Sequence, residues 1–167
     1  EQHRAALNSI AYGTYVLAGV FTDETGPQPW DELYAIATPG LSFQVLYNHA
    51  AALRDGGERR PGGALVCYAG GDRARELWDR SDDEIREIYR RDLTSLYPRL
   101  GASIEHMVIR RVEKVVPFWA PGDRTAMRRL RKPTGPVSFA GDYMGMPSMT
   151  DAAQAGVTAA EQALAGL

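Results

Sequence analysis

The chain has a single cysteine, Cys67, so it can form no internal disulfide. That fits a reducing compartment, and a cytoplasmic location is expected. No stretch approaches the roughly 18 uninterrupted apolar residues that a membrane span requires, and there is no signal-peptide pattern. Surplus positive charge is lacking too. Nineteen Lys and Arg stand against 21 Asp and Glu, and the net charge of -2 leaves no nucleic-acid footprint. His3, His49 and His106 lie far apart with no cysteine beside them, which argues against a zinc site, and no metal is expected. G-x-S-x-G is missing, so a hydrolase is unsupported. G-x-G-x-x-G is missing as well, and with it the usual cradle for a dinucleotide pyrophosphate.

What is present suffices for one sizeable core, or one core and a small appendage, in 167 residues. "SIAYGTYVLAGVFTD" (9–23) reads as a long strand, bent at a glycine. A turn at 24–30, a short strand at 33–38 and a strand running into a loop or short helix at 41–53 follow. The polar, glycine-rich 54–63 reads as a hairpin connection, and "ALVCYAGG" (64–71) as an apolar strand buried on both faces. Cys67 there reads as a core thiol. The clearest element is a helix at 82–97. Ser81 and Glu84 form a capping box, and Ile85, Ile88, Tyr89, Leu93 and Leu96 recur at helical spacing. A strand is expected at 103–116, a loop at 117–123 and a short helix at 124–132, whose basic run reads as a solvated face. A last strand at 136–142 and an Ala-rich helix at 149–165 complete the chain.

Strands joined by short turns favour antiparallel or mixed pairing, hence an α+β fold. The last unit differs in kind. In "SFAGDYMGMPSMTDAAQAG" (138–156) a strand, a Gly-Asp step, a Met/Gly/Pro loop and a helix start follow one another. Ligands of α/β sheets sit beyond strand C-termini, where helix N-termini present free N–H groups. Gly141 lets the backbone turn close to a ligand, and Asp142 can accept hydrogen bonds from hydroxyls. Pro147, Ser148 and Met149 bring in the helix start. Such a site suits a hydroxyl-bearing ligand with an electron-accepting end. A turn aspartate that caps a packing helix is the plainer alternative.

"FAGDYMGMPSMTDAAQAGVTAAEQAL" resembles the C-terminal flavin motif of the FAD-dependent amine oxidase superfamily, which includes protoporphyrinogen oxidases and phytoene-desaturase-like enzymes. "RRVEKVVPFWAPGD" is similar to the strand and loop before that motif. "AYGTYVLAGVF", "LVCYAGG" and "SDDEIREIYRRDLTSLYP" are similar to the family's substrate domain. The resemblance implies a substrate-binding antiparallel or mixed sheet with helices in 1–133, and an FAD-contacting strand–loop–helix in 134–167. Asp142 would contact the ribityl–pyrophosphate part of FAD. The backbone N–H of Met149 would face the flavin N1–C2=O2 edge, with Gly141 and Ser148 beside them. Met144 and Met146 would lie near the ring, or serve as plain core methionines.

Two departures qualify the resemblance. Ser148 stands where amine oxidases proper commonly carry an aromatic residue, which counts against a simple amine as substrate. Val112 occupies the place of an upstream Trp. The N-terminal dinucleotide-binding domain of the superfamily has no counterpart in 1–167, and the first residue is Glu1. The chain is therefore expected to be the C-terminal portion of an FAD-dependent oxidoreductase that moves hydride from a small organic substrate to flavin, with FAD binding weak or absent in this chain alone and the isolated chain inactive. The alternative is a non-catalytic subunit or fragment that associates with a partner carrying the FAD domain. Self-association of the isolated chain is expected in either case. Catalytic residues are not identifiable; His49, Phe118 and Trp119 could face a substrate or serve only in packing.

Overall fold

A computed structural model of the chain describes residues 1–51 and 60–166. Residues 14–113 form one compact unit, and 1–13 with 114–167 form a second. Most of the connection expected over 54–63 lies outside the described residues.

The first unit is built on a five-stranded sheet. Its strands are β1 (Ala11–Thr22), β2 (Ala35–Ala37), β3 (Val45–Asn48), β4 (Gly63–Gly70) and β5 (Ile104–Phe118), in the order β2-β3-β4-β1-β5. β1 and β5 continue into the second unit. The pairs β2–β3, β3–β4 and β1–β4 are antiparallel, with Ala18 opposite Cys67 and Leu46 also opposite Cys67. The fold is α+β with an antiparallel sheet, as the short turns implied.

Alternation decides which face is core. On β1, Val16, Ala18 and Val20 are fully buried, and on β4 so are Cys67 and Ala69. The residues between them are only half-buried, so β4 is covered on one face and not on two. Its apolar run misled because Ala64, Val66 and Tyr68 are apolar on the uncovered side as well. The Cys67 thiol lies in the core, where burial, and then the Asp92 charge, push its pKa up; a thiol so held is a packing group and a poor nucleophile.

Against the buried face pack α2 (Asp72–Leu77), α3 (Asp82–Leu96) and α4 (Pro98–Ser103). The start of α3 is the expected capping box. Glu84 N–H donates to Ser81 Oγ at 3.2 Å, and Ser81 N–H donates to Glu84 Oε2 at 2.8 Å. That amide, together with the Ser81 hydroxyl, holds the Glu84 carboxyl below its ordinary pKa. Ile85, Tyr89 and Leu93 are buried, while Ile88 and Leu96 pack at the margin. The buried Tyr89 hydroxyl donates to Val16 O at 3.2 Å, tying helix to sheet. At the outer end Arg111 reaches Asp82 at 2.6 Å and lowers the pKa of that carboxyl.

The second unit contains α1 (Gln2–Asn8), α5 (Arg124–Leu130), a 3-10 turn at Asp142–Met144 and α6 (Met149–Ala165). α1 packs on α5, where Leu130 is buried, and His3 stacks on Phe139 with ring centroids 5.4 Å apart. The strand expected at 136–142 does not form. Thr134 and Val137 make one isolated antiparallel bridge, and residues 138–141 have no regular structure. A strand needs a neighbour to take its N–H and C=O groups, and no described strand lies beside this segment. Pro133, Gly135 and Pro136 further remove donors and rigidity at its start.

Candidate functional site

Gly141 begins the site with backbone angles of φ 155 and ψ 170. A Cβ there would lie 2.8 Å from Tyr143 Cδ1, so glycine is required for the ring to fold back over the turn. Met144 N–H donates to Gly141 O at 3.1 Å, closing the first turn after it. Asp142 is half-buried in that turn, and its carboxylate accepts no hydrogen bond from any described residue. It is not a cap. Burial, then the nearby Tyr12 and Asp142, raise the pKa of Tyr143 above its ordinary value.

The turn is held from outside by two side chains that sequence reading left in lesser roles. Trp119 Nε1 donates to Tyr143 O at 2.8 Å, and Arg131 Nη2 donates to Met144 O at 2.9 Å. Gln162 Nε2 on α6 donates to Arg131 O at 3.2 Å. Arg131 therefore links α5, the turn and α6. The basic run "RTAMRRLRK" contained that residue, but only the chain reversal at 142–145 gives its guanidinium an acceptor.

Ser148 is the N-cap of α6. Its Oγ accepts from Asp151 N–H at 3.0 Å and donates to Asp151 Oδ2 at 2.9 Å, and Ala152 N–H donates to Ser148 O at 3.0 Å. Two donors of the first turn remain. Met149 and Thr150 N–H meet no acceptor among the described residues, and Met149 is 91 % exposed. A groove of about 410 Å³ runs between the turn and α6, lined by Arg131, Phe139, Met144, Asp151 and Gln154. Along α6 no residue is buried, and Val157 and Leu164 are exposed.

So Gly141, Asp142, Ser148 and Met149 fall on one short stretch with distinct parts. Gly141 shapes the turn, and Asp142 presents an uncommitted acceptor. Ser148 is consumed by its own helix, while Met149 presents an uncommitted donor. Met146 is largely exposed and Met144 half-buried, so neither is a core methionine. Phe118 and His49 are exposed, and Val112 is at the surface. Among the described residues no cluster of metal-ligating side chains occurs, and no helix is long and apolar enough to cross a membrane.

The family model of flavin-containing amine oxidoreductases matches residues 2–164. The chain belongs to that family. Among solved structures, putrescine oxidase superposes with a TM-score of 0.77 at 14% identity over 99% of this chain and 38% of its own. Cyclohexylamine oxidase from Brevibacterium oxydans IH-35A gives 0.71 at 18% identity, over 99% of this chain and 37% of its own. A candidate protoporphyrinogen oxidase from Exiguobacterium sp. 255-15 gives 0.64 at 15% identity, over 96% and 37%. At these identities the likeness is one of fold. The chain spans less than two fifths of the length of each. No curated protein sequence matches it.

For a flavin-containing amine oxidoreductase the cofactor of the intact enzyme is FAD. The donor set fits such a ligand. An acceptor without a partner at Asp142 suits hydroxyl groups, and two free N–H groups at the positive end of a 17-residue helix suit a carbonyl edge that gains electron density. Asp151 places a carboxylate at the same helix start, which disfavours a phosphate there.

Proposed function

We propose that these residues supply the substrate-binding sheet and the flavin-contacting end of an FAD-dependent oxidoreductase. Its substrate is a small organic molecule oxidised at a C–H next to nitrogen or within a C–C unit. In this reading residues 1–133 bind substrate and 134–167 contact the cofactor. The bound flavin supplies the hydride-accepting chemistry. Asp142 accepts from hydroxyls of the cofactor's polyol chain. Met149 and Thr150 donate N–H groups to its polar edge, in line with the helix dipole. Trp119 and Arg131 hold the turn that sets the distance between these groups.

The observation that carries the reading is Asp142, half-buried and seven residues before two helix-start N–H groups, all without hydrogen-bond partners among the described residues. A turn cap would have used that carboxylate. The second reading is a subunit that works only with a partner chain carrying a dinucleotide-binding unit, and it draws on α6, which buries no residue. Titration of the 167-residue chain with FAD, followed by flavin fluorescence, tests the proposal. Saturable binding weaker than micromolar, and weaker again in Asp142→Ala, is expected. No saturable binding would sink the flavin contact, and submicromolar binding would sink the view that much of the FAD site lies outside these residues.

A further inference from the structure

α5 ends at Leu130, and Pro133 bars its continuation. The two carbonyls just beyond its end are taken by side chains of other elements. Gln162 Nε2 of α6 donates to Arg131 O at 3.2 Å, and His3 Nε2 of α1 donates to Lys132 O at 3.1 Å. A carbonyl can only accept, so Nε2 of the ring carries the proton. His3 is half-buried and lies one turn before the buried Ala6, on a helix that packs against α5.

The same imidazole stacks on Phe139, with ring centroids 5.4 Å apart and planes 13° from parallel. Between Lys132 and Phe139 the chain reverses. Thr134 N–H donates to Val137 O at 2.8 Å and Val137 N–H to Thr134 O at 3.2 Å, with Gly135 at φ 57. One side chain therefore touches both ends of the reversal. Phe139 also walls the groove beside Met144 and Asp151, and Gly141 follows two residues later.

We infer that His3 is a positioning residue, which holds the end of this reversal so that the Gly141–Met144 turn leaves it in one direction. The inference rests on the proposal that this turn contacts the cofactor. Among the described residues no strand pairs with 138–141, so side-chain anchors set their path. Trp119 and Arg131 anchor the turn after Gly141, and His3 anchors the chain before it. Asp142 lies between these anchors, and a group held on both sides gives up less freedom when it meets a ligand.

Hydrogen exchange of the 167-residue chain, read by mass spectrometry on peptides covering 138–146 and 82–96, tests this beside flavin titration. His3→Ala should speed exchange over 138–146 about three- to tenfold and weaken FAD binding by a similar factor, with 82–96 unchanged. His3→Phe keeps the ring contact without the N–H, and His3→Gln keeps a donor without the ring. Each should fall between His3→Ala and the native chain. Arg4→Ala, exposed on the same helix, should change neither reading. Native exchange over 138–146 in His3→Ala would overturn the inference. So would a rise shared by 82–96, which would make His3 a packing residue of the whole fold, or faster local exchange with FAD affinity unchanged. Failure of the flavin reading looks different: the native chain would not bind FAD, and exchange over 138–146 would then decide by itself whether His3 holds the approach.

Discussion

The hydroxyl of Ser148 both accepts from the Asp151 amide at 3.0 Å and donates to the Asp151 carboxylate at 2.9 Å. This reciprocal pair closes the first turn of α6 from within and leaves the Met149 and Thr150 N–H groups without an acceptor among the described residues. Ser148→Ala should therefore act on the helix and not on the cofactor. Stability should fall by about 0.5–2 kcal/mol, with FAD affinity changed less than twofold. Urea unfolding and flavin titration on the same variant check both halves.

Asp142 should behave in the opposite way. In the intact enzyme Asp142→Ala removes a charge-assisted bond worth roughly 1.5–3 kcal/mol, so FAD affinity should fall about ten- to a hundredfold. Flavin-free stability should hardly move, because none of the described residues donates to this carboxylate. Thermal unfolding without FAD and affinity by titration separate the effects. Lost stability with unchanged affinity would return Asp142 to a structural role.

In the other unit, Asp92 on α3 is buried and accepts from Ser42 N–H at 2.8 Å and Ser42 Oγ at 2.6 Å. Burial pushes its pKa up, but the Ser42 hydroxyl and amide, with Arg91, outweigh it and hold the carboxyl below its ordinary value. A depressed folded value adds stability that is complete above the unfolded pKa near 3.9 and is lost as pH falls through the folded one. Asp92→Asn should cost about 1–3 kcal/mol at pH 7. The gap to the native protein should narrow at pH 3. Denaturant midpoints at the two pH values decide it, and an equal gap at both would mean that Asp92 acts by packing alone.

The outer face of α6 leads to a last prediction. Val157, Ala160 and Leu164 share one side of a helix with no buried residue. An uncovered apolar stripe invites pairing. The isolated chain should self-associate, and Val157→Lys with Leu164→Lys should shift it to monomer. Light scattering over a concentration series measures this; a monodisperse monomer throughout would count against it.

Where a local signal was complete, the sequence was enough. Ser81 and Glu84 cap α3 because both partners lie within one turn, and the apolar spacing behind them names the buried residues Ile85, Tyr89 and Leu93. The antiparallel sheet follows from short turns between β-rich segments, and the order of the Gly141–Met149 motif marks a turn followed by a capped helix start. Three things lay beyond reach. The segment 136–142 has strand composition, but a strand exists only where a neighbour takes its backbone hydrogen bonds, and none of the described strands does. The helices α1 and α2 are too short to show a period, and packing stabilises them, not propensity. The anchoring of the turn by Trp119 and Arg131, and the row of Tyr15, Tyr68, Tyr47 and Tyr34, join residues far apart in the chain. Local residue order fixes periods and caps, because those interactions act within a turn or two. Which distant side chains share a face depends on strand order and register, and that is settled only when the sheet has closed.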